Sequence, residues 1–443
     1  MRKLFVFAFF LPLILLTKQS CKTLKTPATP PIQPVPETAA PATVPPPPAG
    51  KTSPFLDELL RKNDRLFNEV TSHPEQYQVQ IIYTEINRDR NNKPSFTDHF
   101  YNVNSRHYFY PASVVKMPVA FLALQKINEL KQKGIAIDMN TAMITETARN
   151  AQTPVYNEPT AADAQPTVAQ YIRKIFLVSD NDAFNRLYEF LGPEYIYTQL
   201  NKRGFSSAEI IHRLSISLSA EENRHTNPIK FFNAAGELVY EQPAQYFSKK
   251  LPLRNDKRGV GYMSGGKLVN TPFDFSTKNR LSLEDMHGIM RLVMFPQQAP
   301  ENQRFNLTEE DYRFLRVCMS QFPRESASPA YPGIADNYLK FNLTGGEPKN
   351  FPPGLRIFNK SGEAYGYLTD ITYIADFENH IEFMLSATIH VNKDGIFNDD
   401  QYEYKTIGLP FLNNLGKVIY DHEKARKRNH KPDLSAFQFS YGG

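Results

Sequence analysis

The stretch Phe109-Tyr-Pro-Ala-Ser113-Val-Val-Lys116-Met-Pro118 heads an apolar run whose spacing predicts a helix from Val114 to Lys131, stopped at Gly134. Val115, Val119, Leu122, Ile127 and Leu130 recur at helical intervals. A serine at the opening of a helix is ordinarily an N-cap, and that reading applies to Ser113. A second reading is chemical. Residues three apart on a helix share a face, so Lys116 can reach the Ser113 hydroxyl. The helix N-terminus adds positive potential and free N–H groups, which favour an alkoxide and then an oxyanion. Apolar neighbours would desolvate Lys116 and make its neutral, basic form accessible.

Ser-x-x-Lys alone is too short to carry weight, and it recurs at Ser264/Lys267, where Gly265-Gly266 intervene and no helix begins. Its companions narrow the reading. Ser179-Asp180-Asn181 lies between helices predicted over Val168–Val178 and Ala183–Leu191, and Lys360-Ser361-Gly362 ends a strand predicted over Leu355–Lys360. Taken singly, the first is a helix junction and the second a strand exit; together, in this order and on these elements, they fit a composite serine–lysine site. Other chemistries find less. The ten histidines include no His-Glu-x-x-His, and two cysteines make no Cys/His cluster, so no metal site is expected. Gly261-Tyr-Met-Ser264-Gly-Gly266 has the wrong offset for a nucleophile elbow, and no phosphate-cradling Gly-x-x-x-x-Gly-Lys-Ser/Thr occurs. No cofactor is implied, and the histidines read as surface or satisfied core groups.

Around this centre the pattern is strands at both ends and helices between. Tyr77–Ile86 and Ser95–Val103 read as strands joined by a turn at Asn91-Asn-Lys-Pro, and Tyr367–Ala375 and Ile381–Val391 as two late strands. Leu283–Met294, Thr308–Gln321 and Thr406–Arg426 read as helices. Early strands rejoining late ones imply an α+β domain with one mostly antiparallel sheet. Cys318 falls in an amphipathic pattern and is expected to be a buried, inert thiol; no disulfide is implied.

The first fifty residues differ in kind. Met1-Arg-Lys and the apolar run Leu4–Leu16 fit an export signal and are too short for a membrane span. Thr17-Lys-Gln-Ser-Cys21 follows; a small residue before cysteine resembles a bacterial lipobox, with Lys18 departing from it, so a lipid on Cys21 and membrane attachment are expected, against simple secretion. Thr26–Gly50 carries one charge, Glu37, and ten of the chain's 34 prolines fall between Pro27 and Pro48, which predicts an extended polyproline spacer. The expected organisation is a signal over 1–20, a tether over 21–50 and one domain over 51–443 with an insertion around 213–280, exported to the periplasm or outer surface as a monomer. The net charge of +5 falls largely to Arg2, Lys3 and Lys18, so basicity argues for no nucleic-acid partner. The one dense basic run, Lys424-Ala-Arg426-Lys427-Arg428, reads as a solvated helix end.

The three motifs resemble those of the penicillin-recognising serine hydrolases, class A β-lactamases above all, over roughly residues 55 to 428. Phe109–Pro118 resembles that family's nucleophile helix, and Leu283-Glu-Asp-Met-His-Gly-Ile-Met-Arg-Leu a later helix. The resemblance implies a β-lactamase/transpeptidase-like fold, a mostly antiparallel sheet with an all-helical lobe, and a small β-lactam or peptidoglycan-like substrate. It implies that Ser113 is the acylated nucleophile and Lys116 its base, that Ser179 relays a proton, and that Asn181 holds Lys116 and the substrate amide. Lys360, Ser361 and Gly362 would bind the substrate carboxylate, and the N–H groups of Ser113 and Glu363 would form the oxyanion hole. Two departures stand out. Ser179 and Lys360 are 181 residues apart, longer than the family's span, with the excess mostly between Arg213 and Arg280. The family's deacylating Glu belongs there, yet no Glu-x-x-Leu-Asn occurs, and Glu221, Glu222, Glu237 and Glu241 remain as candidates. β-Lactam hydrolysis, a D-Ala-D-Ala peptidase or esterase activity, and a non-catalytic envelope-binding role all stay open.

Overall fold

The computed structural model describes residues 50–346 and 351–441. The signal and the tether up to residue 49, Cys21 included, lie outside the described residues. Strands β1 (Gln80–Arg88) and β2 (Pro94–Tyr101) come early, and three long strands come late: Leu355–Ala364, Tyr367–Asp376 and Ile381–His390. The late strands form one five-stranded sheet with the early pair, in the order first late, second late, third late, β1, β2, and every neighbouring pair is antiparallel.

Every residue of Tyr367–Asp376 and Ile381–His390 is buried, because both faces of the sheet are covered. Alternation sorts the side chains between two cores. Ile81, Tyr83, Phe383, Leu385, Ala387 and Ile389 face a core shared with the terminal helices Pro54–Lys62, Asp64–Thr71 and Leu409–Ala425. Ile82, Ile371, Tyr373 and Met384 face the larger core of the helical side. That side contains Lys116–Gln132, Val168–Val178, Asn181–Leu191, Pro193–Lys202, Leu283–Met294 and Glu309–Ser320. It also carries a small antiparallel sheet of Ala142–Thr145, Ile229–Phe232 and Leu238–Gln242, beyond the all-helical lobe that the family resemblance implies. Residues 213–280 supply two of those strands and the short hairpin strands Lys257–Arg258, Gly261–Ser264, Lys267–Val269 and Phe273–Asp274.

Three local expectations need correction. Ser113 is not an N-cap: Ala112–Val115 form a 3₁₀ turn that follows Pro111, without a side-chain cap bond, and the α-helix proper starts at Lys116. Lys360-Ser361-Gly362 does not end its strand, which runs on to Ala364 before turning at Tyr365-Gly366. The basic run is not a solvated end throughout. Arg426 Nε donates to the buried Glu423 carboxylate at 2.9 Å and Arg426 Nη1 to Asn87 Oδ1 at 2.6 Å, and the Arg428 guanidinium also bonds Glu423. These arginines therefore tie the last helix to β1, and only Lys424 and Lys427 point outward. Cys318 is buried as expected, and burial pushes its thiol up to about 12.

Candidate active site

Ser113 sits on a turn held under strain. Ala112, just before it, is left-handed at φ 46°, a conformation that costs a residue with a side chain of order 1–3 kcal/mol. The turn is pressed against the strand Leu355–Ala364. A Cβ on Gly362 would lie 2.8 Å from Pro111 O and 2.9 Å from Ser113 N, so only glycine allows that approach. The contact sets the backbone of Ser113 beside that of Gly362-Glu363, at the floor of a cleft of about 540 Å³.

Lys116 is fully buried, one turn along. Its ammonium donates to Ser179 O at 2.5 Å, Ser179 Oγ at 3.1 Å and Asn181 Oδ1 at 2.7 Å. Burial, assisted by the nearby Lys360 charge, holds its pKa well below the ordinary lysine value, with Asp180 pulling the other way. Among the described residues no hydrogen bond joins Lys116 to Ser113 Oγ; its partners come from the Ser179-Asp180-Asn181 junction. Ser179 is the left-handed C-cap of Val168–Val178, at φ 58°, and Asp180 caps the next helix by accepting from Ala183 N. The junction is a helix-to-helix cap, as its composition suggests, and it is also the surface that receives Lys116.

Lys360 closes the group from the sheet. Its ammonium donates to Ser179 Oγ at 2.9 Å and to Ser361 O at 2.5 Å. Burial lowers its pKa to about 7, with Asp370 opposing. Ser179 Oγ thus lies between two desolvated lysines 181 positions from one of them, and the fold brings all three motifs together. Ser361 lines the cleft, and its buried Oγ has no hydrogen-bond partner, which is costly unless something else fills the place. Glu363 lines the cleft edge; desolvation raises its carboxyl, and Lys405 opposes the rise.

Other residues that shape the cleft have no sequence signature. Asn337, Tyr338, Phe341 and Gly345 form one wall. That wall is fastened by Asp370, which accepts from the N–H groups of Phe341 and Asn342 at 2.9 Å each, and by buried Lys340, which donates to Ile357 O and Asn359 Oδ1. Both anchors are ordinary strand or loop residues in one dimension. On the opposite side Asn181 Nδ2 donates to Ser215 Oγ at 2.8 Å. The four glutamates held as candidates stand elsewhere. Glu221 pairs with His225, Glu222 closes a capping box with Ser219, Glu237 accepts from Asn233 and Glu241 approaches Lys230; none lines the cleft.

Residues 64–303, over half of the chain, match the family model described as the beta-lactamase enzyme family. The chain belongs to that family. It is thereby one of the penicillin-recognising serine hydrolases, and the match ends before Lys360-Ser361-Gly362, whose place in the site rests on the geometry. No curated protein matches the chain. Among solved structures, it is similar to a beta-lactamase from Burkholderia ambifaria at 12% identity and TM-score 0.43, covering 84% of this chain and 100% of that one. It is also similar to a beta-lactamase from Desulfarculus baarsii DSM 2075 at 14% identity and TM-score 0.44, covering 82% and 98%.

Proposed function

We propose that this β-lactamase-family chain is a serine hydrolase acylated on Ser113 by a β-lactam or a related amide. The observation that carries the reading is the pair of buried lysines converging on Ser179 Oγ beside a strained nucleophile turn. Neutral Lys116, favoured by its desolvation, accepts the Ser113 proton as Oγ attacks the amide carbon. The carbonyl oxygen, now negative, receives the N–H groups of Ser113 and Glu363. As the C–N bond breaks, Ser179 gives its proton to the leaving nitrogen and regains one from Lys116, so the net transfer is from Ser113 to that nitrogen. Asn181 keeps Lys116 aimed at Ser179, and Lys360 with the partnerless Ser361 hydroxyl offers an anion subsite for a substrate carboxylate.

A second reading, a penicillin-binding D-Ala-D-Ala peptidase or esterase, draws support from the absence of all four candidate glutamates from the cleft lining. Fluorescent penicillin labelling of wild type and Ser113→Ala tests acylation: label on the wild type and none on the variant is expected. Label on both would move the nucleophile elsewhere, and none on either would leave a non-catalytic envelope role. From the sequence alone we also propose export and a lipid on Cys21; Cys21→Ala should move the protein from the membrane to the soluble fraction.

A further inference from the structure

A second cavity, of about 580 Å³ against about 540 Å³ for the Ser113 cleft, opens at the far end of the helix Lys116–Gln132. It shares no lining residue with the cleft, and Lys126 in its floor stands about 15 Å along the helix axis from Lys116. Each wall is one face of one element. Lys126, Glu129 and Lys133 recur at the spacing of a helix face, and Tyr195, Thr198 and Gln199 do the same on Pro193–Lys202. Tyr240 and Gln242 share one side of the strand Leu238–Gln242, while Glu241 between them approaches Lys230 on the other. Tyr246 follows, half-exposed. This third wall belongs to residues 213–280, the segment in which most of the chain's excess over the family's span lies, so part of that excess builds a cavity of its own.

The floor is held in place. Buried Lys126 donates to Phe190 O at 2.5 Å and to Gln242 Oε1 at 2.6 Å, and Gln242 Nε2 donates to the same carbonyl at 3.1 Å. The Lys126 amine also lies 4.5 Å from the Phe190 ring centroid and 5.5 Å from that of Tyr195. Its remaining N–H has no partner among the described residues. Gln199 Oε1 is taken by Gln125 and Arg203, which leaves the Gln199 amide N–H groups for the pocket. Charge on the walls cancels, with Lys126 and Lys133 set against Glu129 and Glu194. A ligand of net charge would meet as much repulsion as attraction there. Hydroxyls, which both donate and accept, suit amines, amides and carboxylates alike. Tyr195, Tyr240 and Tyr246 add flat apolar faces with polar edges, against which the C–H side of a sugar ring can lie.

We propose that this pocket is a binding site for a neutral oligosaccharide, separate from the Ser113 cleft and walled in part by the inserted segment. The test is isothermal titration of the full chain with chitotriose and cellotriose, both neutral, and with the anionic trigalacturonate. Saturable binding of at least one neutral trisaccharide below about 10 mM is expected. Tyr240→Ala and Tyr246→Ala, each checked by thermal unfolding, should weaken it about tenfold in at least one case. Tyr246 is half-exposed, so its truncation keeps the fold and decides the matter if Tyr240→Ala does not fold. No saturable binding of either neutral sugar overturns the proposal. Unchanged affinity in every folded variant places the sugar elsewhere and overturns it too, as does tighter binding of trigalacturonate than of both neutral sugars. The readout does not involve acylation at Ser113, so each of these failures leaves that reading standing.

Discussion

Two pairs of buried lysines answer the same desolvation differently. Lys116 and Lys360 stand at the cleft; Lys126 and Lys340 stand away from it, in the helical side and behind the wall. Burial lowers all four, Lys126, Lys340 and Lys360 to about 7 each, and Lys116 well below the ordinary lysine value. What separates them is the partner. Lys126 donates to Phe190 O and Gln242 Oε1, and Lys340 to Met319 O, Ile357 O and Asn359 Oδ1, acceptors that cannot pass a proton on. Lys116 and Lys360 both reach Ser179 Oγ, a group that accepts and donates. A depressed pKa marks a buried amine; the shared hydroxyl is the group through which the proposed mechanism passes a proton.

The largest effect should break that comparison open. Lys116→Met keeps side-chain volume and removes the proposed base, so penicillin labelling should slow by about 10³-fold with little change in melting temperature. Lys340→Met should do the reverse. It leaves Ile357 O and Asn359 Oδ1 short of a donor at about 1–3 kcal/mol each, lowering the melting temperature while labelling stays within about tenfold. Labelling kinetics and thermal unfolding on the same samples decide it. If Lys116→Met unfolds the chain and keeps labelling, the two pairs have been assigned the wrong way round.

Gly362→Ala comes next. The new Cβ would meet Pro111 O and Ser113 N, backbone atoms that cannot step aside cheaply, and so must part the strand from the nucleophile turn. A displacement near 1 Å at reacting atoms costs about 10²-fold, which is the expected loss of acylation rate. Both lysine pairs are untouched, so an undiminished rate would mean that the close approach of the strand does not position Ser113.

The legible part of this site is its local part. Ser113/Lys116, Ser179-Asp180-Asn181 and Lys360-Ser361-Gly362 are short runs whose chemistry survives in one dimension. The long strands were legible for a similar reason, being apolar runs with turns at their ends. The helix Pro193–Lys202 was missed because Gly192-Pro193 reads as a break, whereas proline in the first turn starts a helix. Ser215 and Asp370 were missed because each acts through one long-range hydrogen bond, to Asn181 and to the Phe341-Asn342 backbone. Ala112 gave no warning, since a left-handed alanine is imposed by the packing around it and not by its own preference.

The smallest effect is in pH, and its sign differs between stability and rate. Lys126, Lys340 and Lys360 bind their protons less tightly folded, at about 7, than at the ordinary 10.5. Between those values the unfolded chain holds more protons, so unfolding free energy should rise with pH across that window, and below about 7 the full cost of burying the charges remains. Lys340→Met should flatten this slope without touching chemistry. Acylation by an anionic penicillin should move oppositely. The group that changes there is Lys360, which donates to Ser179 Oγ and, in the proposed complex, would set its positive charge against the substrate carboxylate. The rate should therefore fall as pH rises through about 7, with a slope approaching a decade per unit. A penicillin ester, lacking the carboxylate charge, should show a shallower fall. Equal slopes for acid and ester would mean that Lys360 acts through Ser179 alone and not as the carboxylate's counter-ion.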